Sequence, residues 1–189
     1  PNFSKNFFGM GNETINKDEV LEMDFNRVKI SKLGVEAGAV KTGEYGGYFS
    51  YKAIFEGIEV DKIENRFIGN PVFEAIDPEF YDRKYFLSAD GIYKYESYDV
   101  VVNPTNGMKF EINVGGTAHV DDWNKGFVYI KPYLGFYNAI SRNRKLVLKT
   151  IAQGQVNLGK DYEFYQSAQL GQTTGMRGYR NQRFSGQRS

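Results

Sequence analysis

Tyr85-Phe-Leu-Ser-Ala-Asp-Gly-Ile-Tyr-Lys-Tyr-Glu-Ser97 decides how this chain folds. Its odd positions read Tyr85, Leu87, Ala89, Gly91, Tyr93, Tyr95 and Ser97, almost all apolar or aromatic. Its even positions, from Lys84 to Tyr98, add Ser88, Asp90, Lys94 and Glu96, interrupted by Phe86, Ile92 and Tyr98. A period of two is the signature of a strand with one apolar face.

The same alternation recurs on both sides of this stretch. Met108, Phe110, Ile112, Val114 and Ala118 alternate with Lys109, Glu111, Asn113, Thr117 and His119. Val128, Ile130, Leu134 and Phe136 alternate with Tyr129, Lys131, Tyr133 and Tyr137, and Leu146 to Leu158 carries apolar residues between Lys145, Lys149, Gln153, Gln155 and Asn157. Upstream, Phe49, Tyr51, Ala53 and Phe55 oppose Ser50, Lys52 and Glu56. Residues Phe25 to Val40 form a further strand whose phase slips near Ser31–Lys32, as a bulge would produce. Shorter strands are expected over Phe3–Phe8 and Tyr162–Leu170.

These segments run to roughly 8–16 residues, against about 5–6 for a typical globular strand. Their polar faces carry Lys, Gln and Asn rather than a second apolar layer. An antiparallel transmembrane β-barrel with a water-filled lumen therefore fits better than a sandwich. A soluble antiparallel sheet with one solvated face alternates in the same way and stays open as an alternative.

Composition agrees with an all-β chain. Aromatic residues make up 16% of it, with 14 Tyr, 15 Phe and 21 Gly. The absence of cysteine excludes disulfides and thiolate metal sites, and a net charge of +1 gives no general nucleic-acid signal. No apolar run approaches the roughly 20 residues of a membrane-spanning helix, which leaves strands free to span.

Turns separate the strands. Asn103-Pro-Thr-Asn-Gly107, Ser141-Arg-Asn-Arg144 and Gly43-Glu-Tyr-Gly-Gly47 read as short connections, and those after Lys62 and after Val120 as longer ones. Short and long connections alternate in outer-membrane barrels, with the short ones on the periplasmic side.

Catalytic signatures are lacking. Gly9-Met-Gly11-Asn-Glu-Thr14 imitates a phosphate-cradling loop without its third glycine, and Asn12-Glu13-Thr14 is a formal glycosylation acceptor. His119 is the sole histidine, and Asp99, Asp121 and Asp122 match no calcium-loop spacing. Trp123 reads as an interfacial aromatic or a loop anchor. Neither a metal nor a cofactor is expected, and the chain is read as non-enzymatic.

The segment Gly171 to Ser189 sets four arginines among four glycines with no acid. It can be a solvated loop, a nucleic-acid arm stacking through Tyr179 and Phe184, or a long loop folded into a polar lumen and paired with facing carboxylates. The rest of the chain offers no basic groove, which disfavours nucleic acid. A planar guanidinium suits the lumen role.

Gly175-Met-Arg-Gly-Tyr179, followed by Phe184-Ser-Gly186, resembles the Arg-Gly-Phe/Tyr loop of the bacterial surface antigen family of outer-membrane assembly factors and translocases. Asp99-Val-Val-Val-Asn103-Pro104-Thr105-Asn-Gly107 is similar to that family's Asp…Asn-Pro-Thr-x-Gly turn, and the order and interval of turn, strands and loop match too. Asn6-Phe-Phe-Gly-Met-Gly-Asn-Glu-Thr14 looks like the corresponding loop of Bacteroidota-type members, some of which carry a metallophosphoesterase domain. The resemblance implies a BamA- and FhaC-like 16-stranded barrel in the bacterial outer membrane that inserts or translocates β-rich client proteins. It also implies accessory assembly lipoproteins as partners.

The lumen-loop residues by this likeness are Gly175, Arg177, Gly178, Tyr179, Phe184 and Gly186, with Arg177 held by acids on strands that follow the loop. The periplasmic-turn residues are Asp99, Asn103, Pro104, Thr105 and Gly107. Residues 1–189 are then expected to be a portion of a single barrel domain, ending inside the long loop. The alternatives are the membrane anchor of a phosphoesterase fusion, a small autonomous eight-stranded barrel, and a soluble β-sheet binding module.

Overall fold

A computed structural model describes residues 2–11, 24–43, 46–63, 66–69 and 78–189. It is all-β, with β1 (Asn2–Asn6), β2 (Arg27–Thr42), β3 (Gly47–Val60), β4 (Lys84–Tyr98), β5 (Gly107–His119), β6 (Gly126–Ala139), β7 (Val147–Gln153) and β8 (Val156–Leu158). They form one antiparallel meander in chain order, with β7 and β8 both pairing with β6. Two short strands, β9 (Ala168–Leu170) and β10 (Phe184–Gly186), form a separate hairpin. Among the described residues β1 pairs only with β2, so the sheet is open rather than a closed eight-stranded barrel.

Register sorts the side chains into two faces. Residues facing one another across antiparallel strands share a face, so Ala53, Ala89, Gly116 and Val128 lie in one row of the outer face. That face holds no charged side chain from Leu33 to Ala39, from Phe49 to Gly57, or along the outer positions of β4 to β8. Many of its large side chains are solvent-exposed, with Leu33 at 73% and Val35 at 71%, while Tyr93, Phe110, Ile112 and Leu134 are half-buried. Phe49 and Tyr93 pack at 4.6 Å near one end of the face, and Phe55 stacks on Tyr85 at 6.0 Å near the other.

The inner face is polar and ion-paired. Asp90 accepts a hydrogen bond from the Tyr129 hydroxyl and pairs with Lys52 at 3.4 Å, while Lys131 lies 4.3 Å from the Tyr129 ring centre. Lys32 pairs with Glu56, Lys94 with Glu96 at 2.8 Å, and Lys109 with Glu111 at 3.0 Å. Gly115 opposes both Asp90 and Tyr129, and a Cβ there would collide with the two polar side chains.

The buried core sits on this same inner side, at the end of the strands where the longer connections meet. Val28 and Ile30 of β2, Ile58 and Val60 of β3, and Phe86 of β4 enclose Phe164 and Tyr165, which follow β8. Phe86, fully buried, therefore interrupts the polar alternation because it lies under this core.

Four expectations need correction. No bulge occurs at Ser31–Lys32, because the ladder runs unbroken through Ser31↔Glu59, Lys32↔Ile58 and Leu33↔Gly57. The apolar residues change face there, from Val28 and Ile30 in the core to Leu33 and Val35 outside. Second, the span expected as Tyr162–Leu170 is a strand only over Ala168–Leu170, preceded by a 3-10 turn at Phe164–Gln166.

Third, the connection at residues 120–125 is shorter than the turn at 99–106, so the alternation of short and long connections is incomplete. Fourth, the single strand expected to Leu158 is divided. Tyr133↔Gln153 and Ile130↔Val156 keep one register across the gap. The cause is Pro132: Gly154 donates its N–H to the Pro132 carbonyl at 3.2 Å, but proline has no N–H to return. Asn12-Glu13-Thr14 and part of Gly43–Gly47 lie outside the described residues.

Candidate functional site

The arginine loop closes on itself before it docks. Gly171 N–H donates to Thr174 Oγ1 at 2.7 Å, Met176 N–H to the Gly171 carbonyl at 3.0 Å, and Thr173 N–H to Asn181 Oδ1 at 3.1 Å. Gly175 and Gly178 take φ of +104° and +92°, in the left-handed region that favours glycine. Tyr179 packs against Phe184 at 5.3 Å, and Phe184 to Gly186 pair with Ala168 to Leu170.

Docking then ties the loop to β1 and β8. Asn6 donates its backbone N–H to Gln182 Oε1 at 2.9 Å and its amide to the Asn181 carbonyl at 3.3 Å. Gly11 N–H reaches the Ser185 carbonyl at 2.8 Å, and Gln155 exchanges two backbone bonds with Ser189 at 2.9 Å each. Ahead of the loop, Lys84 pairs with Glu163 at 2.6 Å and Lys5 donates to the Tyr165 carbonyl at 3.1 Å. The segment therefore covers the inner face from its middle to the end where β1 and β8 lie. Between segment and sheet lies a polar cavity of about 240 Å³, with Glu111, Asn113, Lys131 and Gln153 on the sheet side and Thr173 and Thr174 on the loop side.

The acids expected to hold Arg177 belong to strands that follow the loop. Arg177 is exposed and makes no ion pair among the described residues. The anchored arginine is Arg183, whose guanidinium lies 4.9 Å from the Phe8 ring centre and 5.2 Å from that of Phe184. Its signal in the sequence was the aromatic pair Phe7–Phe8, whose distance along the chain concealed the contact. Asn6 and Gln182, which carry the docking, are ordinary polar residues with no pattern to mark them.

The turn at residues 99–106 is built around one carboxylate. Asp99 Oδ1 accepts the N–H groups of Val100, Thr105 and Asn106 at 2.9 Å each, and Oδ2 accepts the Thr105 hydroxyl. These donors, the Asn106 N–H and Thr105 hydroxyl foremost, hold its carboxyl well below the usual carboxylate range. Asn103 is exposed, and Pro104 and Thr105 are half-buried. Gly107 has φ of +146°, and a Cβ there would run into the Ser97 carbonyl and lie 2.8 Å from Tyr98 Cα.

Turn and loop are not brought together. The turn joins β4 to β5 at one end of the sheet, while the loop docks on β1 and β8 toward the other. Among the described residues no group of three or more His, Cys, Asp or Glu side chains could hold a metal ion. His119 packs edge-on against Phe86 at 4.6 Å. No protein-family model matches the chain, and no curated protein is similar to it.

Proposed function

We propose that this chain forms wall and lumen loop of a bacterial outer-membrane β-barrel that assembles or translocates β-rich client proteins. The observation that carries the membrane part is the outer face: across the middle of five long strands, β2 to β6, and on into β7, it presents uncharged side chains, many of them exposed to solvent. A soluble sheet would have to cover so wide an apolar surface. The opposite face, ion-paired and roofed by the chain's own loop, suits a hydrated lumen.

Assembly or translocation rests on the two motifs, Arg177-Gly178-Tyr179 and Asp99 to Gly107, which resemble those of the surface antigen family. A 16-stranded wall belongs to this reading, as do accessory lipoproteins and client proteins as partners. Depletion of the protein in its host tests it. The reading expects the abundance of other outer-membrane barrels, or of a secreted client, to fall before growth stops. Unchanged levels of both, with the protein itself in the outer-membrane fraction, would leave a membrane anchor and remove the assembly role.

A further inference from the structure

We infer that the β4–β5 and β6–β7 turns form one surface that seats on anionic phospholipid headgroups. This rests on the membrane reading of the outer face and adds where one bilayer boundary lies. Beyond Asn138↔Leu148, Ile140 N–H still bonds to the Leu146 carbonyl at 2.9 Å, so these two residues continue the outer face past the end of the strands. Both are largely exposed. Beside them Val100, Val101 and Val102 are 51%, 81% and 95% exposed, three consecutive apolar side chains on a turn.

This turn is held in place by bonds. Besides the donors to Asp99, Arg144 stands 3.5 Å from the same carboxylate, and Asn106 Oδ1 accepts the Ala139 N–H at 3.2 Å. These two contacts join the turns. Their charged residues are Arg142, Arg144, Lys145 and Asp99, and the only acid already has its donors and Arg144. What remains for a partner is an apolar ridge flanked by the exposed cations Arg142 and Lys145. Valine, isoleucine and leucine beside free cations match the boundary where acyl chains give way to anionic phosphates. The surface is continuous with the lipid-facing one, which favours the bilayer over a separate protein as the occupant.

Residues 1–189 contain no cysteine, so an introduced one is the only thiol among them, and labelling of the unsubstituted protein sets the background. The full protein carrying Val101→Cys, with an environment-sensitive fluorophore, is reconstituted in vesicles of phosphatidylcholine alone or mixed with phosphatidylglycerol. The expected result is a blue shift and quenching by headgroup-attached spin labels in the anionic vesicles. Arg142→Gln with Lys145→Gln should then lower the insertion equilibrium roughly thirty-fold, as two basic residues near an anionic surface imply.

Val35→Cys on the outer face is the control, expected to be quenched by chain-attached spin labels in both vesicle types. Failure of the Val35 control would sink the membrane reading itself. With Val35 in lipid, a Val101 label that stays in water, or is shielded equally in neutral and anionic vesicles, overturns the headgroup inference. So does shielding that appears only when periplasmic proteins are added.

Discussion

Ala89→Arg places a charge at the middle of the β4 outer face, beside Ala53 and Gly116 in the adjoining strands. From Tyr85 to Tyr95 the strand covers about 33 Å at about 3.3 Å per residue. A tilt of about 40° reduces this to a height of about 25 Å, the apolar band of an outer-membrane barrel. Ala89 then lies about 10 Å in depth from the Tyr85 level, and an arginine there should cost about 2–4 kcal/mol. Ser97→Arg, on the same face beyond Tyr95, should cost about 0–1 kcal/mol. Ser50→Arg, on the inner face, should change stability by no more than about 0.5 kcal/mol. Guanidinium titration of the protein in phospholipid vesicles, followed by tryptophan fluorescence, to which Trp123 contributes, measures all three. A cost for Ala89→Arg no larger than for Ser50→Arg would refute the assignment of the outer face to lipid.

Phe86→Ala empties the buried core beneath the loop and should cost about 3–5 kcal/mol in the same titration; a cost near that of a surface change would mean the core is misplaced. Arg183→Ala removes the guanidinium between Phe8 and Phe184, worth about 0.5–2 kcal/mol, and should raise hydrogen exchange across residues 171–186. Arg177→Ala should leave that exchange unchanged, and equal effects of the two would count against the docking described here. Asp99 supplies a pH test: a depressed carboxyl stabilises its turn fully above the ordinary value of about 3.9. That contribution disappears only as pH falls through the depressed value, so the Thr105 and Asn106 amides should stay protected at pH 4. Loss of protection at the ordinary carboxylate value would contradict the hydrogen bonding around Asp99.

The strand alternation was legible because apolar and polar side chains take opposite faces of each strand, and from Leu33 onward the register sets those faces in rows. Misreadings arose where one face changes character along its length. Val28, Ile30 and Phe86 are apolar on the inner side because the segment after β8 packs there, a contact between residues far apart in the chain. Local periodicity sees this as a slip or an interruption. The break between β7 and β8 was likewise invisible within its own segment, since its cause, Pro132, sits on the neighbouring strand. At the loop, Arg183 packs on an aromatic ring that β1 leads into, again a contact between residues far apart in the chain that no local pattern marks.

An open antiparallel sheet has a twist fixed by backbone sterics, but its overall curvature depends on what joins its distant strands. Here the segment from Glu163 to Ser189 supplies that join. It bonds to β4 through Lys84, to β1 through Lys5 and Asn6, and to β8 through Gln155 and Asn157. Each hydrogen bond contributes about 0.5–1.5 kcal/mol on its own, yet together they act across the inner face, between strands that share no ladder. Phe164 and Tyr165 add apolar burial at the same place. The loop therefore sets the distance between β1 and β8. Its docking residues matter through geometry: loosening Asn6, Gln182 or Arg183 leaves each ladder intact and frees the curve of the whole sheet.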